Sequence, residues 1–166
     1  MERSIIVVAD TSPLNYLVLL GCPDILVRLY GTVLVPPAVL KELGHPNSPA
    51  EVQVWIANRP PWLELAVVGS TDPTLSATLG SGEREAISLA LERRADAILI
   101  DDGPGRSAAK ARNLTVNGTL FVVLEAALQG ELDFELTLAR LRQVGFRFSQ
   151  TVEDEMRRRY LKRKTH

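Results

Sequence analysis

The run Ile5-Ile6-Val7-Val8-Ala9-Asp10-Thr11-Ser12-Pro13 decides the architecture. Its first five residues are apolar and mostly β-branched, without the polar alternation of a half-exposed strand. A strand buried on both faces reads this way, and such strands belong to parallel sheets covered by helices. The next residues reverse the local preference. Ser or Thr suits a helix cap and Pro its first turn, so a helix over residues 11–20 is expected, stopped by Gly21.

The same alternation continues outward from that unit. Residues 23–30 read as a second helix, 32–35 as a strand, and 36–43 as a helix opened by Pro36-Pro37 and ended by Gly44. A helix over 50–58 and a strand over 62–68 precede a polar, turn-rich loop at 69–80. Helix 83–94, strand 97–100, helix 106–113, a short strand at 114–116 and helix 120–129 follow, with Thr119 as the expected cap and Gly130 as the stop. Residues 133–144 and 150–162 read as two further helices. Strands alternating with helices predict an α/β fold, a mostly parallel central sheet between two helical layers. The expected partition is one domain over residues 1–150 and a C-terminal helix with a basic tail over 151–166.

The chain has 166 residues, 46% of them apolar and 23% charged, as in an ordinary globular domain. One cysteine, Cys22, leaves no intrachain disulfide to form and favours a reducing, cytoplasmic setting. Cys22 itself reads as a small buried hydrophobe. The apolar runs are far shorter than the roughly 18 residues of a membrane span. Arg3 and a five-residue apolar stretch do not make a signal peptide. Residues 151–166 carry a net charge of +3 and the rest of the chain −4, so affinity for nucleic acid would require local patches or metal ions.

Acids fall where such a sheet places its sites. Ligands of open α/β sheets bind beyond the carboxyl ends of the strands. Asp10 leaves one buried strand there, and Asp101-Asp102 leave another. On a helical wheel Glu83 lies in the apolar stripe above Ala86, Ile87 and Ala90, whereas Glu85 falls on the polar side and reads as a partner of the helix dipole. Glu42 stands in the last turn of its helix, where a carboxylate opposes the dipole. It is either a solvated residue paired with Lys41 or His45, or part of a site that attracts a cation. Converging carboxylates raise one another's pKa, and a hard divalent cation relieves that repulsion. Neither His45 nor His166 has a partner at ligand spacing, so an oxygen-only set at Asp10, Glu42, Glu83 and Asp101 points to Mg²⁺ or Mn²⁺ rather than Zn²⁺. Such sites complete their coordination with substrate phosphates, and the implied chemistry is metal-assisted attack of water on a phosphate ester.

Four segments then carry a resemblance: VVADTSPLNYLVLLG at 7–21, VLVPPAVLKEL at 33–43, LGSGEREAISLALE at 79–92, and ADAILIDDGPGRSAAKARNLTVNGTLFVVLEAALQG at 95–130. In order and spacing they resemble the PIN-domain nucleases, which include VapC-type toxins, and in particular a prokaryotic branch of predicted nucleic-acid-binding PIN proteins. GFRFS at 145–149 is similar to the same branch. The resemblance implies a three-layer α/β/α fold and a Mg²⁺- or Mn²⁺-dependent endoribonuclease that leaves 5′-phosphate and 3′-hydroxyl ends. It also implies frequent homodimers and, for toxin members, a small antitoxin protein as partner. The family's acids fall at Asp10, Glu42, Glu83 and Asp101, with Asp102 in support of Asp101. Typical members have Asp at the third position, so Glu83 is longer by one methylene.

Supporting groups are read in two ways. Thr11 and Ser12 either bind a metal water or phosphate or cap their helix. Arg106 either faces the acids or grips a phosphate as a substrate-binding residue, or belongs to a solvated basic helix. The run Arg157-Arg158-Arg159-Tyr160-Leu161-Lys162-Arg163-Lys164 either tracks an RNA backbone or is a basic helix end followed by a frayed tail. Leu128, Leu132, Leu136 and Leu141 read as core or dimer-seam residues. A haloacid-dehalogenase-like phosphatase would need Asp two residues after Asp10, where this chain has Ser12. The non-enzymatic alternative is a PIN fold that binds RNA or protein without cutting.

Overall fold

The computed structural model describes residues 4–165. Arg3 and His166, both used in the sequence reading, lie outside the described residues. Five strands form one sheet in the order β3-β2-β1-β4-β5, every pair parallel. β1 (Val7–Ala9) is central, with β2 (Val33–Val35) on one side and β4 (Ala97–Leu99) on the other. All nine residues of these three strands are buried. β3 (Leu63–Leu65) and β5 (Val116–Asn117) are the edges.

The two-residue period of the strands sorts their side chains into two cores. Val7, Ala9, Val33, Val35 and Leu99 face α1 (Thr11–Leu19), α2 (Ile25–Tyr30), α3 (Pro37–Leu43), α4 (Ala50–Ala57) and α7 (Thr119–Leu128). Val8, Leu34 and Ile98 face α5 (Ser81–Glu92) and α6 (Gly103–Ala111). The result is the three-layer α/β/α fold that continuous apolar strands require. A smaller cluster joins α7 to α8 (Phe134–Gln143) and α9 (Gln150–Lys164), where Met156 is buried and Phe134 stacks on Tyr160 at 4.5 Å.

Several boundaries differ from expectation for local reasons. β1 starts at Val7 because Ile5 is exposed and the Ile6 N–H donates to the Asp96 carboxylate. β3 covers only Leu63–Leu65 of the expected 62–68. α5 and α6 begin two and three residues early, behind Gly80 and Asp102 in extended conformation. β5 moves from 114–116 to Val116–Asn117, since the Leu114 N–H turns back to the Ala109 carbonyl and Asn113 adopts φ 64°. α9 is helical to Lys164, which removes most of the expected frayed tail. Leu141 is in the core, but Leu136 is 51% exposed and is not a core residue: Asp133 caps α8 and leaves residue 136 beside exposed Glu135 on the outer face. Cys22 is half-buried against the larger core, and burial pushes its thiol up to about 11.

The polar loop before α5 is tied down. Arg112, just past the end of α6, donates to Asp72 at 3.0 Å and to Thr74 at 2.8 Å, and the Asp72 N–H donates to Ser88 of α5 at 2.9 Å. These bonds fasten the loop to the middle of α5 and to the end of α6.

Candidate functional site

Neighbouring parallel strands must end at the same edge of the sheet. β1 and β4 do so, and Asp10 and Asp101 follow them. The Asp10 N–H donates to the Leu99 carbonyl at 2.9 Å, which continues the ladder one residue past the strand and fixes the backbone of the acid. Its side chain is 4% exposed, and Oδ1 has no donor. Burial raises Asp10 from 3.8 to about 7; the Thr11 N–H opposes the rise, and the charges of Glu83, Glu42 and Asp101 add to it.

Asp101 has a contrasting environment. Its Oδ1 accepts the Thr119 N–H at 2.7 Å, and its Oδ2 accepts the Thr119 hydroxyl at 2.7 Å and the Ser12 hydroxyl at 2.8 Å. Three donors hold it in one orientation. Thr119 is not the helix cap that the sequence suggests. Gly118 has that position instead, and buried Thr119 is the first residue of α7, aimed at Asp101. Thr11 and Ser12 do not cap either: α1 has no side-chain cap, Thr11 donates to Glu42 and Ser12 to Asp101.

Glu42, in the last turn of α3, is exposed and does not pair with Lys41 or His45. Its Oε1 accepts the Gly82 N–H at 3.0 Å, so it takes up a free donor at the N-terminus of α5. It borders a groove of about 440 Å³ that also reaches His45 and Glu85. Glu83 is the third residue of α5. Its Oε2 is buried without a donor. Burial raises its pKa, and Asp102, within hydrogen-bonding reach, and then Glu42 raise it further. Glu85 accepts the Ala38 N–H at 3.1 Å and so serves the N-terminus of α3, not its own helix. The wheel therefore separates Glu83 from Glu85 correctly but does not show where Glu85 reaches.

Asp10, Glu42, Glu83 and Asp101 are thus in electrostatic contact, with Asp102 against Glu83. Among the described residues no Lys or Arg forms an ion pair with any of the five. Arg106, one reading of which has it facing the acids, donates from Nη1 to the Ile100 carbonyl at 3.0 Å. The single pocket expected from the sequence is not formed: Glu42 lines the groove between α3 and α5, Asp101 lines a separate cavity beside α7, and among the described residues no group of three carboxylates stands close enough together to hold a metal ion. Glu42 and Asp101 are each turned to protein donors, while Asp10 and Glu83 retain bare buried oxygens. An all-oxygen, unneutralised donor set with two orphaned buried atoms fits a hard divalent cation.

Three glycines make this crowding possible. A Cβ at Gly82 would lie 2.6 Å from Glu42 Oε2, one at Gly105 2.8 Å from Glu83 Oε2, and one at Gly118 2.9 Å from Asp101 Oδ1. The sequence reading starts that helix at residue 106, past Gly105, and gives no weight to Gly82 or Gly118. The signal it offers is a glycine at the mouth of each helix beside an acid, but nothing local identifies which acid approaches.

The basic C-terminal run is largely engaged. Arg157 pairs with Glu135, Arg158 and Arg159 with Glu155, and Arg163 with Glu125. Among the described residues no helix is long and apolar enough to cross a membrane.

Comparison with known proteins agrees with this fold. A family model described as DUF3368, a PIN domain, matches residues 6–161. Among solved structures, a PilT N-terminus domain protein from the hyperthermophilic archaeon Sulfolobus solfataricus P2 is similar to this chain. The TM-score is 0.53 at 16% identity, covering 71% of this chain and 90% of that one, a likeness of fold. No curated protein matches the sequence.

Proposed function

Given that the chain belongs to the PIN-domain family, whose fold is of nuclease type, we propose that it is a divalent-metal-dependent endoribonuclease. Asp10, Glu42, Glu83 and Asp101 are its catalytic carboxylates, and the same four with Asp102 hold Mg²⁺ or Mn²⁺. The observation that carries the reading is the pair of bare, buried carboxylate oxygens at Asp10 and Glu83, in an acid cluster without a paired cation. Proteins do not leave buried charge unpaired without cost, and a bound cation removes that cost. When bound, the metal supplies an acidified water and neutralises phosphoryl charge.

The rest of the work falls to this chain's own groups. Thr119 and Ser12 hold Asp101 to one rotamer, so it does not have to be ordered at each turnover. Ser12 is one side chain of the proposed substrate edge and Arg106 the other. Arg106 Nη1 is anchored on the Ile100 carbonyl, which leaves its remaining N–H groups for a phosphate. Burial at Asp10 keeps bulk water from that acid, while Glu42 and Asp102 face solvent.

The test is cleavage of a single-stranded RNA in Mg²⁺ or Mn²⁺ against a chelator control. Cleavage leaving 5′-phosphate ends, lost in Asp101→Asn and Glu83→Gln while both variants stay folded by circular dichroism, is expected. RNA retained equally with and without metal, and never cut, would mark a binding module instead. Gly82→Ala adds a sharper check. The new methyl displaces the exposed and flexible Glu42 carboxylate, so stability should change by less than about 1 kcal/mol. Cleavage should fall about ten-fold or more, since Glu42 loses its place beside Gly82.

The same reading extends to partners and setting: a cytoplasmic protein, a homodimer and, in a toxin role, a small antitoxin protein. Sedimentation of the purified chain tests the dimer. Growth arrest on expression, relieved by a neighbouring gene product, tests the toxin role.

A further inference from the structure

A cavity of about 390 Å³ opens directly beside Asp101, between the start of α7 and the turn that precedes α9. This is the low end of the range for small-ligand pockets. Phe121 of α7 and Phe146 and Phe148 of the turn supply its aromatic walls, and Arg106, Arg147 and Arg159 contribute charge. Asp101 is the only carboxylate in its lining among the described residues. The aromatic groups are held in place from behind: Phe146 meets Tyr16 of α1 edge-on at 4.9 Å, and the Arg142 guanidinium lies 3.8 Å from the centre of the Phe148 ring. All three phenylalanines remain only half-buried. Arg147 is exposed and has no ion-pair partner among the described residues. This contrasts with Arg157, Arg158, Arg159 and Arg163, whose charges are met by glutamates.

We propose that this pocket receives an unpaired nucleobase of the RNA strand next to the phosphate presented to the acids, stacked among Phe121, Phe146 and Phe148, with Arg147 on the flanking backbone. The inference rests on the nuclease reading and specifies its substrate as single-stranded at that nucleotide. Aromatic faces bind any base by stacking, and arginines follow the backbone, which is the usual chemistry of single-strand recognition. A paired base stays within its own stack and presents no face to the ring. Arg159 of α9 also lines the pocket, but its charge is met by Glu155, so the unpaired arginine offered to the strand is Arg147 in the 145–149 turn.

The experiment is anisotropy of a fluorescein-labelled RNA in chelator at low salt, with the same sequence offered as single strand and as duplex. The single strand should bind at least ten-fold tighter. Phe121→Ala and Arg147→Ala should each weaken it about five-fold or more, with melting temperatures near that of the parent. Phe121→Trp preserves the packing and reports stacking directly: its fluorescence should be quenched by the single strand and not by the duplex. Equal affinity for both forms, or parent-like binding by both variants, overturns the pocket. Metal-dependent cutting combined with that result leaves the nuclease standing and removes the pocket. Strand-selective binding that depends on Phe121, in a protein that never cuts, keeps the pocket and removes the nuclease.

Discussion

Asp10→Asn is expected to make the metal-free protein more stable at pH 8 while reducing RNA cleavage by at least about a hundred-fold. The sign follows from burial. Asp10 titrates near 7 in the folded protein and near 3.8 when exposed. Between those values the folded state holds a proton that the unfolded chain has released, so the contribution of the neutral carboxyl is complete below 3.8 and is lost as pH rises through 7. Each pH unit between the two values is worth about 1.4 kcal/mol, so the wild-type deficit at pH 8 is at most a few kcal/mol. Asn does not ionise. Its amide oxygen can still accept the Thr11 N–H, and its amide nitrogen offers a donor to the neighbouring carboxylates. The melting temperature of metal-free Asp10→Asn should exceed that of wild type by about 5–10 °C at pH 8 and by little at pH 4. Adding Mn²⁺ should raise the wild-type value and leave the variant unchanged. Identical melting curves at pH 8 would show that charging the buried Asp10 carries no such cost. The trade of stability for a charged, buried cluster is common at catalytic sites.

What the sequence reveals of this site, and what it conceals, follow from the range of the interactions. Asp10 and Asp101 are legible because an acid after a buried β-branched run has only the sheet edge to occupy. Glu83 is legible because a carboxylate inside an apolar stripe is anomalous on a 3.6-residue period. The three-layer fold follows from the uninterrupted apolar strands at Val7–Ala9 and Ala97–Leu99. Thr119 misleads because capping is a local habit, whereas its bond to Asp101 spans 18 residues and depends on how β4 and α7 meet. Arg157 and Arg163 of α9 look free in sequence because their partners Glu135 and Glu125 belong to other helices. The aromatic pocket has the same origin: Phe121 and Phe148 are 27 positions apart, and no periodicity connects them.

Gly105→Ala should be the most damaging small substitution in the protein, and its effect should depend on the length of residue 83. The resemblance to PIN domains implies Asp where this chain has Glu83, and the extra methylene carries the carboxylate against α6. The surface it meets is Gly105, which is buried and whose missing Cβ would stand 2.8 Å from Glu83 Oε2 and 2.7 Å from Ile100 Cδ1. Ile100 is fully buried under the sheet edge, so neither neighbour moves freely. Overpacking of this kind costs about 1–3 kcal/mol, or a fall of roughly 3–10 °C in melting temperature, and cleavage should drop with it as Glu83 is displaced. Glu83→Asp withdraws the carboxylate from α6 and relieves one of the two clashes. The double variant should therefore be more stable than the sum of the single effects predicts, by about 0.5 kcal/mol or more. It should also recover part of the cleavage lost by Gly105→Ala alone. Strict additivity in both melting and cleavage would show that Glu83 does not rest on Gly105. In that case the longer acid has no structural accommodation in α6, and its role among the proposed metal ligands loses its physical basis.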